Sequence, residues 1–219
     1  MTETRDREGS GGYHGKRALD LWVLCAAALP ATIIGAACAA AVKLTSPGPV
    51  FYRQWRVGRD GRPFVLLKFR SMVDAPDNPI FPHPSRITPV GQWLRRFSLD
   101  EIPQLINVAR GEMSIVGPRP ALAYQVDRYD DRQKGRLSVN PGVTGLAQVK
   151  GRNAIAWAER IEWDLTYVAR QSTWLDLRIL AETARQLLTG RGIEGHPPDD
   201  PIATISEEDP PKSSGSPGN

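Results

Sequence analysis

A run of 22 consecutive residues without a charge, Leu21 to Val42, limits this 219-residue chain more than any other feature. As a straight helix it would reach roughly 33 Å, enough to cross a hydrocarbon core of about 30 Å. Two features argue against a plain span. Pro30 falls near the middle, where its missing N–H and its ring should kink or break the helix. The flanks are also basic on both sides, with Lys16 and Arg17 before and Lys43, Arg53, Arg56, Arg59 and Arg62 after. The positive-inside tendency would hold both ends in the cytoplasm. A helix that enters, bends at Pro30 and returns satisfies both flanks, so the expected anchor is re-entrant. A cleaved export signal and a helix buried in a soluble core are its rivals. The run is long for the apolar part of a signal, while its alanine content makes insertion only moderately favourable.

The rest of the chain has the length for one further domain with its own core. Residues 1–15 are polar and glycine-rich, and residues 191–219 are rich in Pro, Gly, Ser and acid. Both are expected to be disordered. The tail holds two basic and six acidic residues, which leaves 26 basic against 18 acidic in the first 190. That stretch therefore carries +8 although the whole chain carries +4. A body this basic suits nucleotides, anionic lipid headgroups or nucleic acid. No RNA- or DNA-binding motif is legible, which places nucleic acid last and predicts no nucleic-acid partner. Cys25 and Cys38 both lie in the apolar run and form neither a disulfide framework nor a metal-ligand spacing.

Beyond the turn Ser46-Pro47-Gly48-Pro49, residues 50–57 and 63–69 read as strands joined by an Asp60-Gly61 hairpin turn. Lys68 and Arg70 fall on one face of the second strand, either as a solvated edge or as a phosphate clamp. Residues 74–84 hold four prolines and read as a surface loop, in which His83 lacks a partner at ligand spacing. A short helix is expected over 121–129 and a short strand over 146–149, with Asn153 capping the next helix. Two helical stripes close the body: Trp157, Ile161, Leu165 and Val168, then Trp174, Leu177, Ala181, Ala184 and Leu188, with Gly190 as a stop. Such stripes form core, or lie on a membrane surface. The fold class is α+β: a re-entrant membrane helix over 16–45, then a domain over 46–190 with a small β-hairpin or sheet and several short, amphipathic interfacial helices.

At the centre stands Arg95-Arg96-Phe97-Ser98-Leu99-Asp100-Glu101-Ile102-Pro103. Ser98 with Glu101 makes a capping-box pattern, but it would put Pro103 inside the helix. Asp100 as the cap leaves Pro103 in the first turn, where a donor is not needed, and is preferred. Both acids would then sit at the positive end of the dipole and be favoured as anions. Adjacent carboxylates at a helix start are ordinary capping chemistry. Surrounded by Arg95, Arg96 and Arg119, they also suit a divalent metal with a phosphate.

Seven motifs occur in one order: Lys16-Arg17-x-x-Asp20, Ser46-Pro47-Gly48-Pro49-Val50, Lys68-Phe69-Arg70, Arg86-Ile87-Thr88, Ser98-Leu99-Asp100-Glu101-x-Pro103-Gln104, Gly117-Pro118-Arg119-Pro120 and Pro141-Gly142-x-Thr144-Gly145-Leu146-Ala147-Gln148-Val149. Together they resemble the bacterial sugar transferases, the small monotopic phosphoglycosyl transferases that move a sugar-1-phosphate onto polyprenyl phosphate. The resemblance runs from about Lys16 to Gly190. It implies a UDP-sugar donor, Mg2+ as cofactor, and release of UMP. Asp100 would attack the sugar-bearing phosphate to give an aspartyl phosphosugar, and Glu101, with Asp100, would bind metal. Lys68, Arg70, Arg119 and Arg152 would hold phosphates, while Arg95 and Arg96 would receive the acceptor. Lys16, Arg17, Asp20 and Pro30 would belong to the anchor, in the bacterial inner membrane with the catalytic domain on the cytoplasmic face. The pathway implied is exopolysaccharide, capsule, O-antigen or glycoprotein glycan synthesis, with membrane lipids as partners and self-association left open.

The chain departs from that pattern in two places. Leu29 precedes Pro30 where a serine is expected, and Phe81-Pro82-His83-Pro84-Ser85 stands where acidic residues are expected before Arg86. Nothing amino-terminal resembles a multi-span extension, so a minimal catalytic core is expected. The competing class is a catalytically silent membrane scaffold, which would use the same anchor and basic surface but not Asp100 or Glu101.

Overall fold

In a computed structural model, which describes residues 12–73, 86–151 and 155–189, the apolar run lies within one 30-residue helix, α1, Lys16–Thr45. The break expected at Pro30 does not occur. Proline removes a single i→i−4 bond, and close by the Thr32 hydroxyl donates to Ala28 O at 2.7 Å, supporting the same stretch. Of the most apolar window of α1, only 11% is buried inside the fold, which argues against a buried core helix. Trp22, Leu29 and Ile33 are all exposed.

Both ends of α1 are fastened to the same body. Lys16 Nζ donates to Asp176 Oδ2 at 2.6 Å and to Val116 O at 2.8 Å. Arg17 donates to Val108 O and Ala109 O, and Asp20 Oδ1 accepts from Ser114 Oγ and Ile115 N. The charged residues at the start of α1 are thus ties to protein, with Lys16 and Asp20 buried. At the other end Cys38 and Val42 pack with Phe69 and Leu94, and Leu99 and Ile102 lie against that cluster.

The hairpin forms as its sequence predicts. β1, Phe51–Val57, pairs antiparallel with β2, Pro63–Phe69, from Phe51↔Phe69 to Val57↔Pro63. Asp60 at φ 55° and Gly61 at φ 75° take the left-handed backbone that matches strand twist. A third strand is replaced by one side chain: Asn107, fully buried, accepts from Leu67 N at 3.2 Å and donates to Val65 O at 2.8 Å. Asn107 belongs to α3, Gln104–Ala109, which follows α2, Pro89–Arg96. α2 starts as its sequence directs, with Pro89 first and the Thr88 hydroxyl accepting from Gly91 N at 2.9 Å.

A second sheet pairs β3, Ser114–Val116, in parallel with β4, Gly142–Thr144. The strand expected over 146–149 is instead a helix, α5, Leu146–Gly151. Pairing falls earlier, at Gly142, which comes so near β3's end that a Cβ there would lie 2.1 Å from Gly117 N. Between the two strands is α4, Ala123–Asp127, inside the stretch expected to be helical.

α6, Trp157–Arg170, buries Trp157 and Ile161 as its stripe predicts. Its N-cap is Ala156, while Asn153 lies outside the described residues, as do His83, Arg152 and Gly190. In α7, Thr173–Thr189, the expected stripe faces outward from Trp174 to Ala184, and the Leu188 side chain lies outside the described residues. Trp174 is 76% exposed and Leu177, Ala181 and Ala184 are also exposed, while Asp176 and Ile179 are buried. The ion pair with Lys16 and a 2.9 Å bond from Tyr167 OH draw Asp176 inward, which turns the apolar stripe out. The core gathers Phe64, Leu66, Val108, Met113, Ile115, Val116, Leu146, Tyr167 and Ile179.

Candidate active site

Between α2 and α3 the backbone makes a sharp turn, with Ser98 left-handed at φ 55°, ψ 23°. Leu99–Glu101 then form one turn of 3-10 helix, and Pro103 is the N-cap of α3. Neither Ser98 nor Asp100 caps that helix. The proline settles the matter, because its missing donor costs least just at the helix start. Leu99 and Ile102 rest on the second half of α1, where Ile102 also comes within 3.6 Å of a Cβ built on Gly35. The membrane-type helix therefore supports the two carboxylates from beneath.

Asp100 is 8% exposed, and its Oδ2 lies 3.9 Å from Lys68 Nζ. Glu101 Oε1 is held by Lys68 Nζ at 2.7 Å and Arg119 Nη2 at 3.3 Å. The adjacent acids titrate in opposite directions, unlike the shared helix-dipole effect expected. Burial pushes the Asp100 carboxyl above its ordinary value, against the pull of Lys68. Burial also raises Glu101, but Lys68 and Arg119 outweigh it and hold that carboxyl at about 2. Glu101 therefore contributes stability above the unfolded carboxylate range, and that contribution is lost as pH falls toward 2. Ionised Asp100 opposes folding above its unfolded value. Replacing Lys68 with Met should raise both carboxyls, because their nearest cation is gone. Carbon-13 carboxyl titration checks this, and an unmoved Glu101 would contradict it.

The remaining expected residues divide. Arg95, in the last turn of α2, acts on Asp100 through its charge and lies 3.4 Å from Met72 Sδ. Arg96 is exposed, with its guanidinium 5.7 Å from the Phe97 ring. Arg70 does not join the cluster. It is buried and donates to Ser46 O and Ser46 Oγ, both at 2.8 Å. β2 ends at Phe69, so the alternation that placed Arg70 beside Lys68 stops one residue short.

Three residues not expected from the sequence support the site. Arg56 lies on the face of β1 shared with Tyr52 and Gln54, and Tyr52 is the register partner of Lys68. Alternation counted back from the hairpin turn carries that signal. Arg136 is buried, ion-paired to buried Asp164, and accepts no exposure to water beyond 2%. Its Nη1 donates to Tyr129 OH at 2.6 Å and its Nη2 to Arg119 O at 2.8 Å, so it fixes the backbone from which Arg119 reaches Glu101. Asp164 sits at helical spacing from Trp157 and Ile161, which could have marked it as inward-facing.

Among the described residues no third His, Cys, Asp or Glu joins the two acids to make a metal cluster. Mg2+ nevertheless suits them, since it is commonly held by one or two carboxylates plus substrate phosphates and water. The cations occupy Glu101 Oε1, and Glu101 Oε2 and Asp100 Oδ1 make no hydrogen bond among the described residues.

Residues 12–190 match the bacterial sugar transferase family. The chain is 45% identical over 157 residues to the uncharacterized sugar transferase EpsL of Bacillus subtilis (strain 168), covering 71% of this chain and 78% of that protein. It is 36% identical over 200 residues to the exopolysaccharide production protein ExoY of Rhizobium meliloti (strain 1021), covering 83% and 88%. It is 45% identical over 165 residues to the UDP-glucose:undecaprenyl-phosphate glucose-1-phosphate transferase of Xanthomonas campestris pv. campestris, covering 69% of this chain but 34% of that longer protein.

Proposed function

The chain belongs to the bacterial sugar transferase family, and from that premise we propose that it is a membrane-associated phosphoglycosyl transferase. It moves a sugar-1-phosphate from a UDP-sugar to polyprenyl phosphate and releases UMP. The observation that carries this reading is Asp100, a buried carboxylate within reach of Lys68 and beside the Lys68–Glu101–Arg119 cluster.

In the first displacement an Asp100 oxygen attacks the sugar-bearing phosphorus. The bond to the UMP oxygen breaks, and its electron pair leaves with UMP. In the second, a polyprenyl phosphate oxygen attacks the aspartyl phosphosugar and the carboxylate is regenerated. Dividing the transfer in this way lets one site serve a soluble donor and a lipid acceptor in turn. Lys68 and Arg119 hold phosphate oxygens, the arginine through paired donors. Arg95, on the α2 side of Asp100, receives the acceptor phosphate, with exposed Arg96 beside it. Mg2+ held by Asp100 and Glu101 would draw charge from the diphosphate. α1 has both ends on the catalytic body, which supports a monotopic anchor with the site on the cytoplasmic face of the inner membrane. The pathway served is the assembly of a surface polysaccharide or protein-linked glycan.

The test uses full-length protein extracted from membranes in detergent, supplied with a panel of UDP-sugars and polyprenyl phosphate. UMP release that requires Mg2+ and stops on chelation is expected. Intact mass after an acid quench should show one added phosphosugar when acceptor is omitted. Absence of UMP from every donor would leave the scaffold reading standing.

A further inference from the structure

We infer that Arg56, with Arg119, forms the seat for the donor's diphosphate, completing a clamp that Lys68 begins and that Arg70 does not enter. The inference deepens the transferase reading and rests on it. Arg56 is half-buried on β1, on the same face as the register partner of Lys68. Its guanidinium donates to Gln54 Oε1 through Nε at 3.1 Å and Nη2 at 2.6 Å, and to Pro120 O through Nη1 at 3.1 Å. Both acceptor atoms are neutral. Among the described residues no carboxylate lies within ion-pair distance of it, since Glu101 is taken by Lys68 and Arg119.

A guanidinium in such a place is costly unless an anion arrives. Burial first, and the neighbouring Arg119 guanidinium second, pull Arg56 down to about 10, with Tyr52, Tyr124 and Glu101 acting the other way. It remains charged at neutral pH. Around the two acids stand four cations, Lys68, Arg56, Arg95 and Arg119, so the site carries surplus positive charge even with both acids ionised. The bond to Pro120 O places Arg56 against the same Gly117–Pro120 loop that carries Arg119, with Tyr52 and Tyr124 near its charge. Two guanidiniums on adjoining backbones, both near Glu101, match the paired oxygens of a diphosphate rather than one isolated phosphate.

The experiment measures UDP binding by calorimetry, and donor KM and kcat by UMP release, for detergent-extracted full-length protein and its Arg56→Gln and Arg56→Lys variants. Arg56→Gln should weaken UDP binding about 10- to 100-fold, the scale of a lost charge-assisted hydrogen bond, with KM rising in parallel. Arg56→Lys should lose about tenfold, keeping charge but not the planar fork. kcat should change less than about threefold, because the group holds the donor's phosphates equally in the ground state and in the transition state of the first displacement. If Arg56 served only to brace Pro120, kcat and melting temperature would fall while UDP affinity of the folded protein held. UDP affinity within twofold of wild type in Arg56→Lys, which preserves folding best, overturns the inference. So does a wild-type protein that binds no UDP. A wild type that binds UDP but releases no UMP sinks the transferase reading, and the comparison of UDP affinities still decides Arg56.

Discussion

Asp100→Asn should lower kcat by about 10⁴-fold or more, the scale on which enzymes lose turnover when their nucleophile is removed, and should raise the melting temperature. The two effects share one cause. Burial disfavours the Asp100 anion in the folded state, so above its unfolded carboxyl range this residue opposes folding. Asparagine removes that charge in nearly the same shape. Glu101→Gln should do the opposite to stability: its anion is held at about 2 by Lys68 and Arg119, so the amide leaves two cations without their shared partner. Thermal denaturation at pH 7 of the two single variants, beside UMP release, reads both signs. Wild-type turnover by Asp100→Asn ends the nucleophile assignment, and a fall in its melting temperature would mean the carboxylate stabilises the fold.

Asp164→Ala should destabilise the protein by about 3–5 kcal/mol, because Arg136 would be left buried with its charge unmet. For a chain of this size that lowers the melting temperature by very roughly 6–20 °C. Activity should fall as well in the protein that stays folded, since Arg136 holds Arg119 O and Arg119 holds Glu101. The double variant Arg136→Met, Asp164→Leu should recover much of the stability, because apolar residues can fill a site vacated by both charges. Its activity should stay low, for the support of Arg119 is gone. Scanning calorimetry of the single and double variants tests this. A single variant melting within about 2 °C of wild type would show that the pair is not needed.

Local signals were reliable where the chain solves its own geometry. The Asp60-Gly61 turn and the Trp157–Ile161 face follow from short stretches whose conformation needs few outside contacts. Elements whose outcome depended on a distant partner were misplaced. α7 turned its apolar stripe outward because Asp176 answers to Lys16, 160 residues away. The strand expected over 146–149 gave way to pairing at Gly142, where lack of a side chain admits Gly117. Alternation puts Arg70 beside Lys68, as a solvated edge or a phosphate clamp, yet the Ser46 turn claims it, while Arg56 was not singled out as a ligand although it faces the site.

By itself the sequence determined an apolar helix long enough for a membrane, a basic body, the hairpin, and the adjacent acids at the centre, because each is written in consecutive residues. The family followed from seven motifs standing in one order. Only the tertiary structure decided which basic groups surround those acids, and that the acids titrate apart. It alone brought both ends of α1 to one body. Charge partners and burial depend on which distant segments meet in space, and no count along the chain contains that distance.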